Sequence, residues 1–166
     1  MGLERASTSL AGAKIQAVCF DFRGVILDHR TDRKLLPGMV RILKKLSTRG
    51  VRLAVVSRFP AEIVKELLGS LEQFFGSNIF SGGGQGKLDC IRQFARKCGI
   101  DDLAKIAFVD DKPANLLPVA HDCEVYVIGF RGSGKYPEAR FICYDEGIGY
   151  AEDVDQLENL LLQQIT

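Results

Sequence analysis

The chain has 166 residues, a length that suits one domain. Hydrophobic residues make up 46%, enough to fill a core and too many for a disordered chain. With 22 basic against 21 acidic side chains the net charge is +1, so the balance recommends neither a nucleic-acid nor an anionic-membrane partner.

Met1 to Ala13 is polar and small, without the apolar centre of a signal peptide, and reads as a flexible tail before a single domain spanning 14–166. Lys14 to Phe22 is a buried strand ended by Gly24. Met39, Val40, Leu43 and Leu46 recur at helical spacing after Leu36-Pro37-Gly38, and Arg49-Gly50 stops that helix. Val51 to Val56 is a second strand. Pro60 opens a helix that continues over Ala61 to Leu71. Asn78 to Phe80 is a short third strand, and Ser81-Gly82-Gly83-Gly84 a loop. Lys87 to Cys98 is amphipathic, with Leu88, Ile91, Phe94, Ala95 and Cys98 on one face and Gly99 as its cap. Ile106 to Val109 is a fourth strand, Ala114 to Ala120 a short helix and Glu124 to Phe130 a fifth strand. Val154 to Leu162 is the last helix.

Alternation of strand and helix argues for an α/β three-layer sandwich, Rossmann-like, with a mostly parallel sheet of about five strands. The five cysteines (Cys19, Cys90, Cys98, Cys123, Cys143) are odd in number and form no CxxC pair. They read as buried free thiols in a reducing compartment, not as a zinc site. No apolar run reaches the ~18 residues of a membrane span. A soluble, cytoplasmic protein with no membrane partner is expected.

In open parallel sheets ligands bind beyond the carboxyl ends of the strands. Asp21, Ser57, Asp110 and Asp111 all fall at such ends, and Lys87 opens a helix. Phosphoryl transfer needs an in-line nucleophile, neutralised equatorial oxygens and help for the leaving group. Asp21 supplies a nucleophile able to form an aspartyl-phosphate, Ser57 a hydrogen-bond donor, Lys87 a counter-charge, and Asp111 with Asp110 an oxygen site for Mg²⁺. Each residue alone has an ordinary reading, since aspartates often cap turns and serines and lysines are often merely solvated. Their joint placement carries the argument.

The set resembles the haloacid dehalogenase superfamily of phosphohydrolases over roughly residues 14 to 130. Its first motif is matched by Asp21-Phe22-Arg23-Gly24-Val25 except at the third residue, its second by Val55-Val56-Ser57, its third by Lys87, and its fourth by Asp110-Asp111 with Asn115. The resemblance implies Asp21 as nucleophile and Asp111 as Mg²⁺ ligand. Asp110 corresponds to the additional acid of an Asp-Asp subtype, and Asn115 to a residue orienting Lys87 or the metal shell. It also implies that the backbone carbonyl of Arg23 joins Asp21, Asp110 and Asp111 around the metal.

Arg23 stands where the family carries the aspartate that protonates the leaving alcohol and then activates water. A guanidinium stays charged, with a pKa above ~12, and cannot do this. Losing such a group typically costs on the order of 10²–10⁴ in rate. Three readings follow: a slow Mg²⁺-dependent phosphatase in which Arg23, Ser57 and Lys87 bind the phosphorylated substrate, a degenerate phospholigand-binding or interaction protein, and a halide-releasing dehalogenase. Dehalogenating members also lack that aspartate, but they work without Mg²⁺ and usually lack the acidic pair. Asp110 and Asp111 therefore favour phosphate.

Asp21 and Ser57 lie 36 positions apart, and Ser57 and Lys87 lie 30 apart. The family inserts its cap domains in these intervals, and neither has room for one. An open, capless site is expected, suited to a large substrate or covered by homo-oligomerisation. Asp28 to Lys34 is a candidate small flap whose charges also fit a solvated face.

Gly129-Phe130-Arg131-Gly132-Ser133-Gly134-Lys135 has the spacing of a nucleotide-binding P-loop. Tyr136 replaces its Ser or Thr, however, and Pro137 makes an immediate helix awkward, so the segment reads as a flexible loop. His29 and His121 read as surface residues, and Phe74, Phe75 and Phe130 as core or interface.

Overall fold

The computed structural model describes residues 14–31, 33–81 and 86–165. The expected tail (1–13) and most of the glycine run (82–85) lie outside the described residues. Six strands form one sheet: β1 (Ala17–Phe20), β2 (Arg52–Ser57), β3 (Ile79–Ser81), β4 (Ile106–Asp110), β5 (Tyr126–Phe130) and β6 (Gly149–Ala151), in the order β3-β2-β1-β4-β5-β6. Every pairing is parallel. Helices α1 (Met39–Thr48), α2 (Ala61–Leu68), α3 (Lys87–Cys98), α4 (Pro113–Asp122), α5 (Ala139–Glu146) and α6 (Val154–Ile165) connect and cover the strands.

Period-two alternation along the strands makes two cores. Val18, Phe20, Leu53, Val55 and Val109 meet Ile42, Leu43 and Leu46 of α1, Val64 and Leu68 of α2, and Leu157 and Leu161 of α6. Ala17, Cys19, Ala54, Val56 and Phe108 face the opposite way, onto Ile91 and Phe94 of α3, Leu116 and Val119 of α4, and Cys143 of α5. The central strands are buried on both faces, which is why they read as unbroken apolar runs. The ridge between α1 and α6 is tied by Arg41, which donates to Glu158 Oε2 at 2.9 Å, and by Lys45 on the other Glu158 oxygen.

The structure adds one strand and one helix to the expected order, α5 and β6. It also shortens the α2 helix, whose end becomes a 3₁₀ segment over Gly69–Phe74. The expected strand over Lys14 to Phe22 is paired only over Ala17–Phe20, because the chain turns out of the sheet at the functional end. All five cysteines are free thiols, with Cys19, Cys90 and Cys143 buried. Phe75 and Phe130 are core residues and Phe74 packs against that core. Among the described residues no helix is long and apolar enough to cross a membrane.

The loops at the carboxyl ends of β1 and β5 are locked together. Gly132 has φ +57°, and a Cβ built on it would lie 1.7 Å from the Gly24 carbonyl oxygen. Ser133 N–H donates to that same oxygen at 3.2 Å. Gly132→Ala is expected to lower unfolding free energy by on the order of 2–4 kcal/mol, combining left-handed backbone cost with overpacking. Gly50→Ala shares a positive φ (+75°) but has open space at Cβ, so it should cost about 1 kcal/mol. Denaturant unfolding of the two variants separates these contributions, and equal losses would exclude the backbone clash.

Candidate active site

The strand order reverses between β1 and β4. Connections leave these neighbours toward opposite faces and open a crevice at their carboxyl ends. Phe20 is in register with Val55 of β2 and with Val109 of β4. Asp21 therefore stands level with Val56 and Asp110, and Ser57 and Asp111 come one residue later. This register gathers side chains from positions up to ninety residues apart.

Lys87, the first residue of α3, reaches into this level. Its ammonium donates to Asp21 Oδ1 at 2.6 Å and to the Val56 carbonyl at 2.6 Å, and lies 3.9 Å from Asp110 Oδ2. The side chain is only 9% exposed. Asp110 is fully buried and accepts from the Lys112 backbone N–H at 2.9 Å and from Asn115 Nδ2 at 3.1 Å. Asn115 thus orients Asp110, its side-chain hydrogen bond going there and not to Lys87.

Oxygens of Asp21, Asp110 and Asp111 all lie within 4.8 Å of one another. Burial pushes each carboxyl up. Asp21 is raised by desolvation against the opposing pull of Lys87, and Asp110 is raised well above the ordinary range by desolvation and then by the charge of Asp21. Asp111 is raised to about 6 by the same two causes in the same order. With all three ionised, the single ammonium within the cluster would leave two negative charges in excess, which is part of why each is held up. An all-oxygen donor set with that excess fits a hard divalent cation.

Ser57 is buried, and its Oγ accepts from the Phe59 N–H at 3.1 Å, so its own proton remains available to an acceptor in the crevice. Gly24 has φ +91°, and a Cβ there would lie 2.2 Å from Asp111 Oδ2. Glycine at this position is what lets the β1 loop close over Asp111. The Arg23 side chain is exposed and points to the mouth, its guanidinium carbon 6.0 Å from the Phe59 ring centroid.

Asp21, Arg23, Ser57, Lys87, Asp111 and Asn115 line one pocket of about 320 Å³, while Asp110 sits behind it. The same pocket is lined by residues that sequence reasoning did not select: His29, Arg58, Phe59, Lys112, Lys135 and Tyr136. His29 is not the surface residue expected. It is half-buried, and its backbone N–H and Nδ1 both meet Ser133 Oγ, joining the 28–34 segment to the β5 loop. His121, by contrast, is exposed and sits 2.7 Å from Glu146. The P-loop-like segment is a turn that delivers Lys135 and Tyr136 to the mouth. The available signal was position alone, since Arg58, Lys112 and Lys135 all follow strand ends. The 28–34 segment is pinned by a Leu27–Leu35 bridge and by the Arg30 fork on Asp28, which holds that carboxyl down to about 2. Residue 32 lies outside the described residues.

The fold is shared with known proteins. The structure is similar to a haloacid dehalogenase-like family hydrolase of Streptococcus pneumoniae (TM-score 0.70, 15% identity, covering 90% of this chain and 99% of that one). It is similar to 3-deoxy-D-manno-octulosonate 8-phosphate phosphatase of Moraxella catarrhalis, solved with magnesium, phosphate and the sugar acid (TM-score 0.67, 19% identity, 92% and 88% covered). It also resembles D,D-heptose 1,7-bisphosphate phosphatase of B. bronchiseptica, solved with magnesium and phosphate (TM-score 0.65, 17% identity, 90% and 99% covered). At these identities the likeness is one of fold. No curated protein matches the chain by sequence. The family model for haloacid dehalogenase-like hydrolases matches residues 16–120. With that match over more than half its length, and with phosphatases of the same fold as its structural neighbours, the chain belongs to the haloacid dehalogenase-like hydrolase family.

Proposed function

We propose that this protein is a Mg²⁺-dependent phosphohydrolase acting through Asp21. The observation that carries this reading is the buried Lys87 ammonium, held between Asp21 and the Val56 carbonyl beside Asp110 and Asp111. Two structural neighbours named as phosphatases were solved with magnesium and phosphate, which supports it.

The Asp21 carboxylate attacks phosphorus, the bond to the leaving oxygen breaks, and an aspartyl-phosphate forms; water then cleaves it, returning Asp21 and releasing phosphate. Lys87 orients Asp21 and offsets charge on the phosphoryl oxygens. Ser57 donates its free hydroxyl proton to one of those oxygens. Asp21, Asp111 and the Arg23 backbone carbonyl would hold Mg²⁺, with Asp110 within reach and itself fixed by Asn115. The ion, when bound, supplies Lewis-acid neutralisation of the phosphoryl group.

No carboxyl occupies position 23, so the leaving oxygen departs without a proton from that position. The reaction is therefore confined to good leaving groups or runs slowly. The outward course of Arg23 also favours a second reading, a phospholigand-binding protein that retains the site without turnover.

Hydrolysis of p-nitrophenyl phosphate in Mg²⁺ is expected, because that leaving group needs little protonation, and Asp21→Asn should lower it by at least ~10³. Equal rates in both proteins would sink the phosphatase reading. Arg23→Asp should raise the ratio of alkyl to aryl phosphate hydrolysis, by up to ~10². An unchanged ratio would mean that position 23 does not govern leaving-group protonation.

The carboxylate cluster also sets a pH dependence. A carboxyl raised in the fold binds its proton more tightly folded than unfolded, so stability falls as pH rises from about 4 through about 6. Its cost for Asp111 is on the order of 2–3 kcal/mol above that window. Asp111→Asn should therefore melt roughly 4–8 °C higher than the parent at pH 8 without divalent ions, with no advantage below about pH 4. Added Mg²⁺ should raise only the parent's melting temperature and close the gap. Equal Mg²⁺ shifts in both proteins, read by thermal fluorimetry, would argue against this metal site.

A further inference from the structure

The outer wall of the pocket carries more positive charge than the proposed chemistry uses. Lys87 has its carboxylate partner in Asp21. Four further cations, Arg23, Arg58, Lys112 and Lys135, line the same cavity. None of the four has a carboxylate within ion-pairing distance among the described residues, although cations elsewhere on the surface do, as in Arg30–Asp28, Arg41–Asp155 and Arg140–Glu152. Since the whole chain has a net charge of only +1, this is local placement and not general basicity.

Three of the four instead contact aromatic faces. Lys112 and Lys135 hold their ammonium groups 6.0 and 5.5 Å from the centroid of Tyr136, and Arg23 lies over Phe59. Cation–π contact positions a charge but does not saturate its N–H donors. Two ammonium groups drawn to one ring also repel each other, and a bound anion would offset that repulsion. Their field is felt nearby, since His29 is pushed below the ordinary histidine range first by burial and then by Lys135. A reacting phosphoryl group beside Lys87, Ser57 and the carboxylates would leave these donors facing the rest of a cavity whose 320 Å³ is ample for a small metabolite.

We propose that the ligand carries a second anionic group, phosphate or carboxylate, bound at the mouth between Lys112 and Lys135, with Arg23 and Arg58 adding donors from the β1 and β2 loops. This rests on the phosphatase reading for the reacting phosphate and gives Arg23 a binding role.

Three six-carbon probes test it: glucose 6-phosphate, 6-phosphogluconate and glucose 1,6-bisphosphate, with one anion, phosphate plus carboxylate, and two phosphates. Calorimetric binding to Asp21→Asn protein in Mg²⁺ removes any dependence on turnover. The expected result is about tenfold tighter binding of at least one dianionic-site probe than of glucose 6-phosphate at low salt. That preference should shrink toward unity at high salt and in Lys135→Ala and Lys112→Ala backgrounds. Whichever of the two probes is preferred identifies the second group. Equal affinities for all three, or a preference that survives in the double lysine variant, would overturn the proposal. Turnover of p-nitrophenyl phosphate with no such preference overturns it alone. A preference without turnover upholds it while the phosphatase reading falls.

Discussion

The site depends on one buried ammonium. Lys87 places its charge between Asp21 and Asp110 and fixes itself by donating to the Val56 carbonyl. Without that counter-charge, three carboxylates within 4.8 Å at the centre of the sheet would repel one another in a poorly solvated crevice. With it, the three fully ionised would still be two charges in excess. In the proposed function this cluster is completed from outside, by a cation on one side and a phosphoryl group on the other.

The scaffold that holds this ammonium is set by strand register and by two glycines. Phe20 paired with both Val55 and Val109 brings the ends of β1, β2 and β4 to one level, and α3 begins where Lys87 reaches that level. Gly24 lets the loop after β1 pass over Asp111, and Gly132 lets the loop after β5 rest on the Gly24 carbonyl. A side chain at Gly132 would force the two loop backbones apart, and one at Gly24 would displace the Asp111 carboxylate. The loops that carry Arg23 and Lys135 are therefore positioned by the same contact that shapes the inner site.

Arg23 links the inner chemistry to the outer wall. The guanidinium lies over Phe59 at the mouth, beside cations from three other strand-end loops. In the proposed function, an arginine at this position supplies no proton to a leaving group, and in the proposed recognition of a second anion it adds a donor at the mouth.

Much of this was legible in the sequence because it is local. Apolar runs ending in Asp21, Ser57 and Asp110-Asp111, and Lys87 opening an amphipathic helix, fix residue types at strand and helix ends, and alternation of elements implies a parallel sheet. Elements α5 and β6 were not legible, because Phe141 and Tyr144 are exposed, at 68% and 85%, and blur the helical stripe, while β6 is a three-residue edge strand. The outer wall was not legible either. Arg58, Lys112, Lys135, Tyr136 and His29 lie in unrelated loops with no common spacing, and they become neighbours only when the sheet order reverses between β1 and β4. The sequence by itself determined which groups could do chemistry, since a side chain's reactivity belongs to the residue. Only the tertiary structure decided which of them share a cavity and which charges go unpaired there, since proximity across the sheet comes from strand register and close backbone packing.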